Sequence, residues 1–291
     1  MAVNVLITGP RSPLGARLAE RLSGRGEVAA VRAVEDPHGR QLEELIAQGR
    51  IDTVIDLGRR PGPLLAVCET SGVRKLILAS SAHYYGFDPG APAFLTEGTL
   101  RVTRARGALE REVLAAEAAV AAFAARNPER SVTILRFADE LGSHEGPHHA
   151  LLALPFVPAI LGFDPRWQFI DAHDVVGILA HAALNEIPGV FNAAADGVLA
   201  LSEVASLLGK PMLPVLPPLG LGLAVAQLAR LGIRAPVELV DQLRLGRGLD
   251  NRRLKATGYA FRYTSREAVQ RLAGAQGPAA LLGRGRSSPG A

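Results

Sequence analysis

Short β-branched runs alternate with amphipathic segments along the first half of this chain, and that rhythm limits the folds open to it. Val3–Ile7, Val28–Val31, Thr53–Leu57, Lys75–Ala79 and Val132–Leu135 read as strands. Between them, Leu14–Leu22, Leu42–Ala47, Leu64–Thr70 and the alanine-rich Ala105–Ala125 read as helices. Leu14, Leu18 and Leu22 recur at the spacing of one helix face. The strand interiors are almost continuously apolar, as a parallel sheet covered on both faces requires. The expected class is therefore α/β, with a doubly wound parallel sheet.

The rhythm changes near residue 145, where Pro147, Pro155, Pro158 and Pro165 interrupt it. Trp167–Ile170 and Val190–Ala193 still read as strands and Val175–Leu184 as a helix. After residue 200 the chain reads as short helices with Pro–Gly punctuation. We expect a nucleotide-binding core over residues 1–145. A mixed segment over 146–275 returns strands to the core and forms a small α-rich substrate domain. The Gly/Pro/Ser/Arg-rich tail over 276–291 is expected to be disordered. The apolar fraction of 48% suits a globular protein, and no apolar run reaches the ~18 residues of a membrane helix. Leu219–Leu231 is broken by Gln227 and Arg230. Cys68 is the only cysteine, which rules out an internal disulfide and fits a reducing cytoplasm. The net charge of +4 is dispersed, so no nucleic-acid partner is expected.

The first predicted strand ends in Thr8-Gly9-Pro10-Arg11-Ser12-Pro13-Leu14-Gly15. A dinucleotide turn uses glycine first for tightness, then for close approach of the pyrophosphate, then for helix–strand packing. Gly9 and Gly15 fill the outer places and Ser12 the middle one. Two readings stand: a phosphate cradle altered at Ser12, or a helix start capped by Ser12 that binds nothing. Arg32 stands at the end of the second strand, where NAD-binding forms carry an acid, and with Arg11 it would meet a 2′-phosphate, favouring NADP over NAD. Both are otherwise ordinary solvated arginines.

In these features the chain resembles the extended short-chain dehydrogenase/reductase family, the NAD-dependent epimerase/dehydratase group. The resemblance rests on Thr8-Gly9 with Gly15, Asp52-Thr53-Val54-Ile55-Asp56, the run Gly72 to Ser81, Tyr85-Gly86, Leu135-Arg136-Phe137, Phe169 to Val175, and Val190-Phe191-Asn192. It implies a Rossmann-like sheet, a cofactor at the strands' carboxyl ends, and a C-terminal substrate domain, commonly for nucleotide-sugars. It also implies a Ser after the fourth strand, matched by Ser81, and a Tyr four residues before a Lys. The family lysine precedes a glutamate by four. Counted back from Glu110, the pair becomes Arg106 and Val102, with Arg106 left to hold a ribose. Tyr85 matches a family position on the substrate side.

Asp139 and Glu140 follow the fifth strand at the edge where ligands bind, and are candidates for acid/base work alongside Ser81 and Tyr85. His144, Glu145, His148 and His149 are too loosely spaced for a metal and read as a loop. Asp174 is expected to cap a helix starting at Val175. Arg247, Arg252 and Arg253, in the run beginning Leu245-Gly246, meet an anionic ligand or lie on a surface helix capped by Asp250. The alanines of Ala105–Ala125 would let two copies pair as a homodimer. The first functional reading is a family protein that binds NADP or NAD, or no cofactor, with a small-molecule ligand, nucleotide-linked or a biosynthetic intermediate, and without Tyr/Lys hydride transfer: a ligand-binding pseudoenzyme. The rivals are a non-redox cyclase, isomerase or dehydratase, and an NADP-dependent reductase or epimerase with a displaced acid.

Overall fold

A computed structural model of the chain describes residues 2–9, 13–35, 39–58, 60–101, 104–143, 146–215 and 237–276. Among them, six strands form one parallel sheet: β1 (Val3–Thr8), β2 (Val28–Val34), β3 (Thr53–Asp56), β4 (Lys75–Ser81), β5 (Ser131–Phe137) and β10 (Gly189–Ala193). Their spatial order is β10-β5-β4-β3-β1-β2. The chain moves outward from β1 to β2, then crosses back to β3. The order therefore reverses between β1 and β3, and ligands of open α/β sheets bind outside the carboxyl ends at such a point.

Side-chain alternation sends Val5 and Ile7 to one face and Leu6 to the other. The first face packs on α1 (Pro13–Ser23) and α6 (Ala172–Leu184). The second packs on α2 (Gly39–Gly49), α3 (Gly62–Thr70) and α4 (Ala108–Arg126), through Leu42, Leu64, Val120 and Phe123. A third cluster, around Trp167, joins α5 (Gly146–Leu152), α7 (Leu201–Leu207), α8 (Val237–Leu245) and α10 (Ser265–Gln276). The two-stranded pairs β6 (Asp139–Leu141) with β9 (Phe169–Asp171), β7 (Val157–Ile160) with β12 (Met212–Val215), and β8 (Arg166–Trp167) with β11 (Leu199–Ala200) surround it. Helix α9 (Arg252–Lys255) lies beside β10. No helix of the described residues is long and apolar enough to cross a membrane.

Several boundaries differ from the sequence expectation for identifiable reasons. β2 runs on to Val34, held by its register with Thr8. The run Trp167–Ile170 is split because Gln168 turns inward, accepting from Leu249 N and donating to Ala195 O. The loop expected around His148 is helix α5. Asp171, not Asp174, caps α6, accepting from His173 N at 2.8 Å. Asp174 is fully buried inside the first turn and binds the Tyr259 hydroxyl and the backbone N–H groups of Arg262 and Tyr263. It ties the C-terminal segment to the core. Tail residues 277–291 and the segment 216–236, which contains Leu219–Leu231, lie outside the described residues.

Candidate functional site

The turn after β1 meets the loop after β3 where the strand order reverses. Gly9 has φ +71°, and a Cβ there would sit 2.9 Å from Gly58 N. Only glycine takes this conformation at this closeness without strain. Asp56 ties the two loops: one carboxylate oxygen accepts from the Thr8 hydroxyl at 2.8 Å and from Gly58 N at 2.9 Å. Burial pushes the Asp56 carboxyl above its ordinary range, and those two donors offset the push in part. Gly15 is buried in α1. Pro10, Arg11 and Ser12, the middle of the turn, lie outside the described residues.

The longer β2 changes which side chain stands at the strand's end. Gly9 N donates to Val34 O at 3.1 Å, so the residue beyond the strand is Glu35, an acid. Arg32 lies within the strand, and its Nε would be 3.3 Å from a Cβ on Gly49, at the far end of α2. Its side chain leads away from the turn.

A cleft of about 400 Å³ opens above β3, β4 and β5. Ser81, Asp139 and Glu140 all stand on its walls, so three of the four acid/base candidates share one site. The α4 wall presents Leu109, Val113 and Ala116. Glu117, on the next turn, is clamped by Arg136 of β5: both carboxylate oxygens lie 3.1 Å from Nε, and Nη2 lies 2.7 Å from Oε2. Ser80 donates to the same carboxylate at 2.5 Å.

This geometry corrects the counting on α4. Glu110 faces away from the cleft toward Arg101, and accepts from the Arg106 backbone at 2.9 Å. The Arg106 guanidinium pairs with Asp241 at 2.6 Å, which places it on α8 and not on a ribose. The glutamate that faces the sheet is Glu117. Four-residue steps back from it reach Val113 and Leu109, both on the cleft wall. Val102 lies outside the described residues.

The opposite wall is polar. Ser81 Oγ lies 2.8 Å from His83 Nδ1. Asp139 lies 3.5 Å from His148 and 3.7 Å from Arg247, and accepts from Gln242. Gln242 in turn holds His148 at 2.7 Å. Burial alone would raise the Asp139 carboxyl, but His148, Arg247 and His83 outweigh it and hold the group below its ordinary range. Glu140 behaves oppositely. Burial raises it, and its bonds to the Ser143 backbone and hydroxyl recover only part of the shift. Two adjacent carboxyls thus have environments that push them apart, the usual mark of separate acid and base roles.

Tyr85 does not line this cleft. It is buried, and its hydroxyl donates to Asn192 Oδ1 at 2.7 Å while accepting from Arg136 Nη1 at 2.9 Å. Burial raises the Tyr85 phenol. His83 and His148 were not named as acid/base residues from sequence. A signal existed for His83, which sits two residues beyond Ser81 and so returns toward it around a single turn. His148 drew notice only as a poor metal ligand. Neither His144 nor Glu145 belongs to the described residues.

The model of the NAD dependent epimerase/dehydratase family matches residues 60–194. The protein of Mycobacterium tuberculosis strain H37Rv named uncharacterized protein Rv0501 is 29% identical, over an alignment spanning 91% of this chain and 81% of the relative. A UDP-glucose-4-epimerase from Stenotrophomonas maltophila, solved with NAD and formylated UDP-arabinopyranose, superposes with a TM-score of 0.72 at 16% identity. That match covers 98% of this chain and 100% of the other. A human epimerase family protein solved with NADPH gives 0.69 at 21% identity, covering 93% and 99%. Residues 60–194 thus match the NAD-dependent epimerase/dehydratase family, and the chain shares the fold of these solved epimerases.

Proposed function

We propose that this chain binds a nicotinamide dinucleotide and a small-molecule ligand, and that it does not perform Tyr/Lys hydride transfer. The observation that carries the second half is the α4 wall. Where the family's spacing puts a phenol and an amine, Leu109 and Val113 face the cleft. Neither can move a proton or lower the pKa of a neighbour. The first half is supported by the close Gly9–Gly58 approach, whose glycine leaves room no side chain would leave, and by structural neighbours solved with NAD or NADPH. Gly9 and Gly58 would flank the pyrophosphate, and Ala79 to Ser81 with Leu109 and Val113 would border the nicotinamide. A bound nicotinamide supplies a hydride acceptor or donor. Glu35 favours NAD, because an acid beyond the second strand accepts from ribose hydroxyls and repels a 2′-phosphate.

The test is calorimetric titration with NADH and NADPH. Saturable NADH binding, at least tenfold tighter than NADPH, is expected, and Gly9→Val should abolish it. No binding of either dinucleotide to the native chain sinks the first half. Appearance of NADH on mixing the chain with NAD and a UDP-sugar sinks the second.

A non-redox isomerase or dehydratase is the second reading, favoured by the 2.8 Å contact between Ser81 and His83 beside the low-lying Asp139. There Ser81 orients a substrate oxygen, His83 carries its proton, and Asp139 holds the surrounding charge. We also propose a homodimer through the exposed Ala115, Ala118 and Ala122 of α4, in a cytoplasmic setting that suits a lone buried Cys68. Sedimentation at 30.6 kDa alone would remove the dimer.

A further inference from the structure

The C-terminal segment closes over the start of α6, and an imidazole stands at the closure. Gly177 leaves that face of α6 bare, and a Cβ there would collide with the Tyr259 hydroxyl. Tyr259 therefore lies close against the helix and donates to Asp174 Oδ1 at 2.9 Å. Arg262 N and Tyr263 N donate to the two oxygens of the same carboxylate, at 2.9 and 3.0 Å. Beyond them α10 returns to the end of β9, where Arg271 Nε donates to Asp171 Oδ2 at 2.8 Å. The Tyr263 ring stands between these ties. Arg271 stacks over it at 4.3 Å, and the His173 ring meets it edge to face at 6.0 Å.

Arg262 Nη1 lies 3.2 Å from His173 Nε2. A guanidinium only donates, so Nε2 accepts and the imidazole is neutral, with its proton on Nδ1. Nδ1 is buried and finds no hydrogen-bond partner among the described residues. The charges around the ring come from every side: Arg21 of α1, Arg262 of the closing segment, and Asp171 and Asp174 at the start of α6. Both aspartates are already engaged. Asp171 accepts from His173 N and from Arg271, and Asp174 accepts from the three donors above. Burial, Arg21 and Arg262 hold the His173 imidazole below its ordinary range, and the two aspartates offset only part of that. A proton on Nε2 would turn an acceptor into a donor facing a donor, with like charges 3.2 Å apart. The closure also bears on the cleft. β9, which ends in Asp171, pairs with β6, setting Asp139 opposite Phe169 and Glu140 opposite Ile170.

We propose that His173 and Arg262 form an acid-released clasp: a proton taken up at His173 Nε2 expels the Arg262 side chain, loosens residues 259–276 from α6, and slackens the β9–β6 pair that carries the cleft's two carboxyls. The direction follows from linkage. His173 binds its proton less readily in the closed chain than in the unfolded one. The clasp is therefore complete above the ordinary imidazole value of 6.5, and is lost as pH falls from there through the lower native value. Arg262 is exposed, so solvent screens the repulsion and the release is local, not global.

Hydrogen exchange of the full chain, read by mass spectrometry at about pH 8 and about pH 5 and corrected for the intrinsic exchange rate, tests this. No dinucleotide or other ligand is added, so the outcome is independent of the function proposed above. Protection of residues 259–276 should fall several-fold on acidification, while β1, β3 and β4 keep theirs. His173→Gln retains an acceptor for Arg262 but cannot take up a proton, and its protection should be the same at both pH values. Arg262→Gln removes one of the like charges and should show a smaller fall than the native chain. A fall that persists in His173→Gln, a fall spread evenly over the sheet, or no fall at all overturns the proposal. An NMR titration of the native chain gives a reading that needs no variant to fold. A His173 midpoint below 6.5 is expected, and one at or above it overturns the clasp.

Discussion

Arg136 and Arg247 are buried to nearly the same depth, with side chains 5% and 6% exposed, but their surroundings differ. Arg136 is satisfied from within the chain. Glu117 takes it through two nitrogens, the Tyr85 hydroxyl and Glu97 O accept from Nη1, and the Tyr84 ring lies 3.4 Å beneath it. Arg247 has contacts only of 3.4 Å and longer, and one nitrogen without a partner. Burial lowers the proton affinity of both guanidiniums. At Arg136 the Glu117 and Tyr85 interactions more than reverse that effect; at Arg247 Asp139 does not. The first arginine belongs to the scaffold, locking α4 and β5 beneath the cleft. The second is left with its charge only loosely met from within the chain.

Stability measurements can break this contrast. Arg136→Met strands Glu117 as an uncompensated buried charge, and we expect a loss of about 3–5 kcal/mol in urea unfolding. Arg247→Met removes a charge that was barely paired and fills its place with apolar volume, so its cost should be ~1 kcal/mol or less. Equal losses would make both arginines structural and would erase the difference between them. Tyr85→Phe comes between them. It deletes a hydroxyl that bridges Arg136 and Asn192 and leaves two buried polar groups short of a partner, for an expected cost of about 1–3 kcal/mol. No loss in that variant would mean that the Arg136 network is less closed than its distances state.

The same contrast explains what could be read before any coordinates. The sheet was legible because β1, β3, β4 and β5 are apolar runs between helical segments, and local periodicity carries that information. The glycine turn was legible for the same local reason, apart from the end of β2. There Arg32 drew the cofactor reading because nothing local marks Val34 as the final rung opposite Thr8. The site was harder because its pairs are remote in sequence. Glu110 and Glu117 both head plausible four-residue steps on one helix, and only the partner on β5, Arg136, tells them apart. The proposed loss of a Tyr/Lys pair could be read by counting back along the helix, but placing it at Leu109 and Val113 needed that long-range pairing. Arg247 left a partial trace. The sequence left it open between an anionic ligand and a surface helix, and nothing local says that the arginine points inward.

The smallest expected effect is a pH dependence, and it separates the two arginines without relying on total stability. Asp139 sits beside Arg247 and is held below its ordinary range despite burial. A carboxyl depressed in the native state binds protons less well there than in the unfolded chain, where its value is near ~3.9. Its contribution is therefore complete above that unfolded value and disappears as pH falls through the lower, native one. Each unit of depression is worth about 1.4 kcal/mol at neutral pH. Removing Arg247 takes away one of the charges that depress it, so the acid limb of a urea-midpoint curve should start at the same pH but be smaller, and end at higher pH, in Arg247→Met than in the native chain. Arg136→Met does not touch Asp139 and should lower the whole curve without moving that limb. Asp139→Asn should flatten the limb. If the Arg247→Met and native curves share the same acid limb, Asp139 does not feel the guanidinium. The weak 3.7 Å contact would then be no contact at all, and Arg247 would be left without a carboxylate to offset its charge.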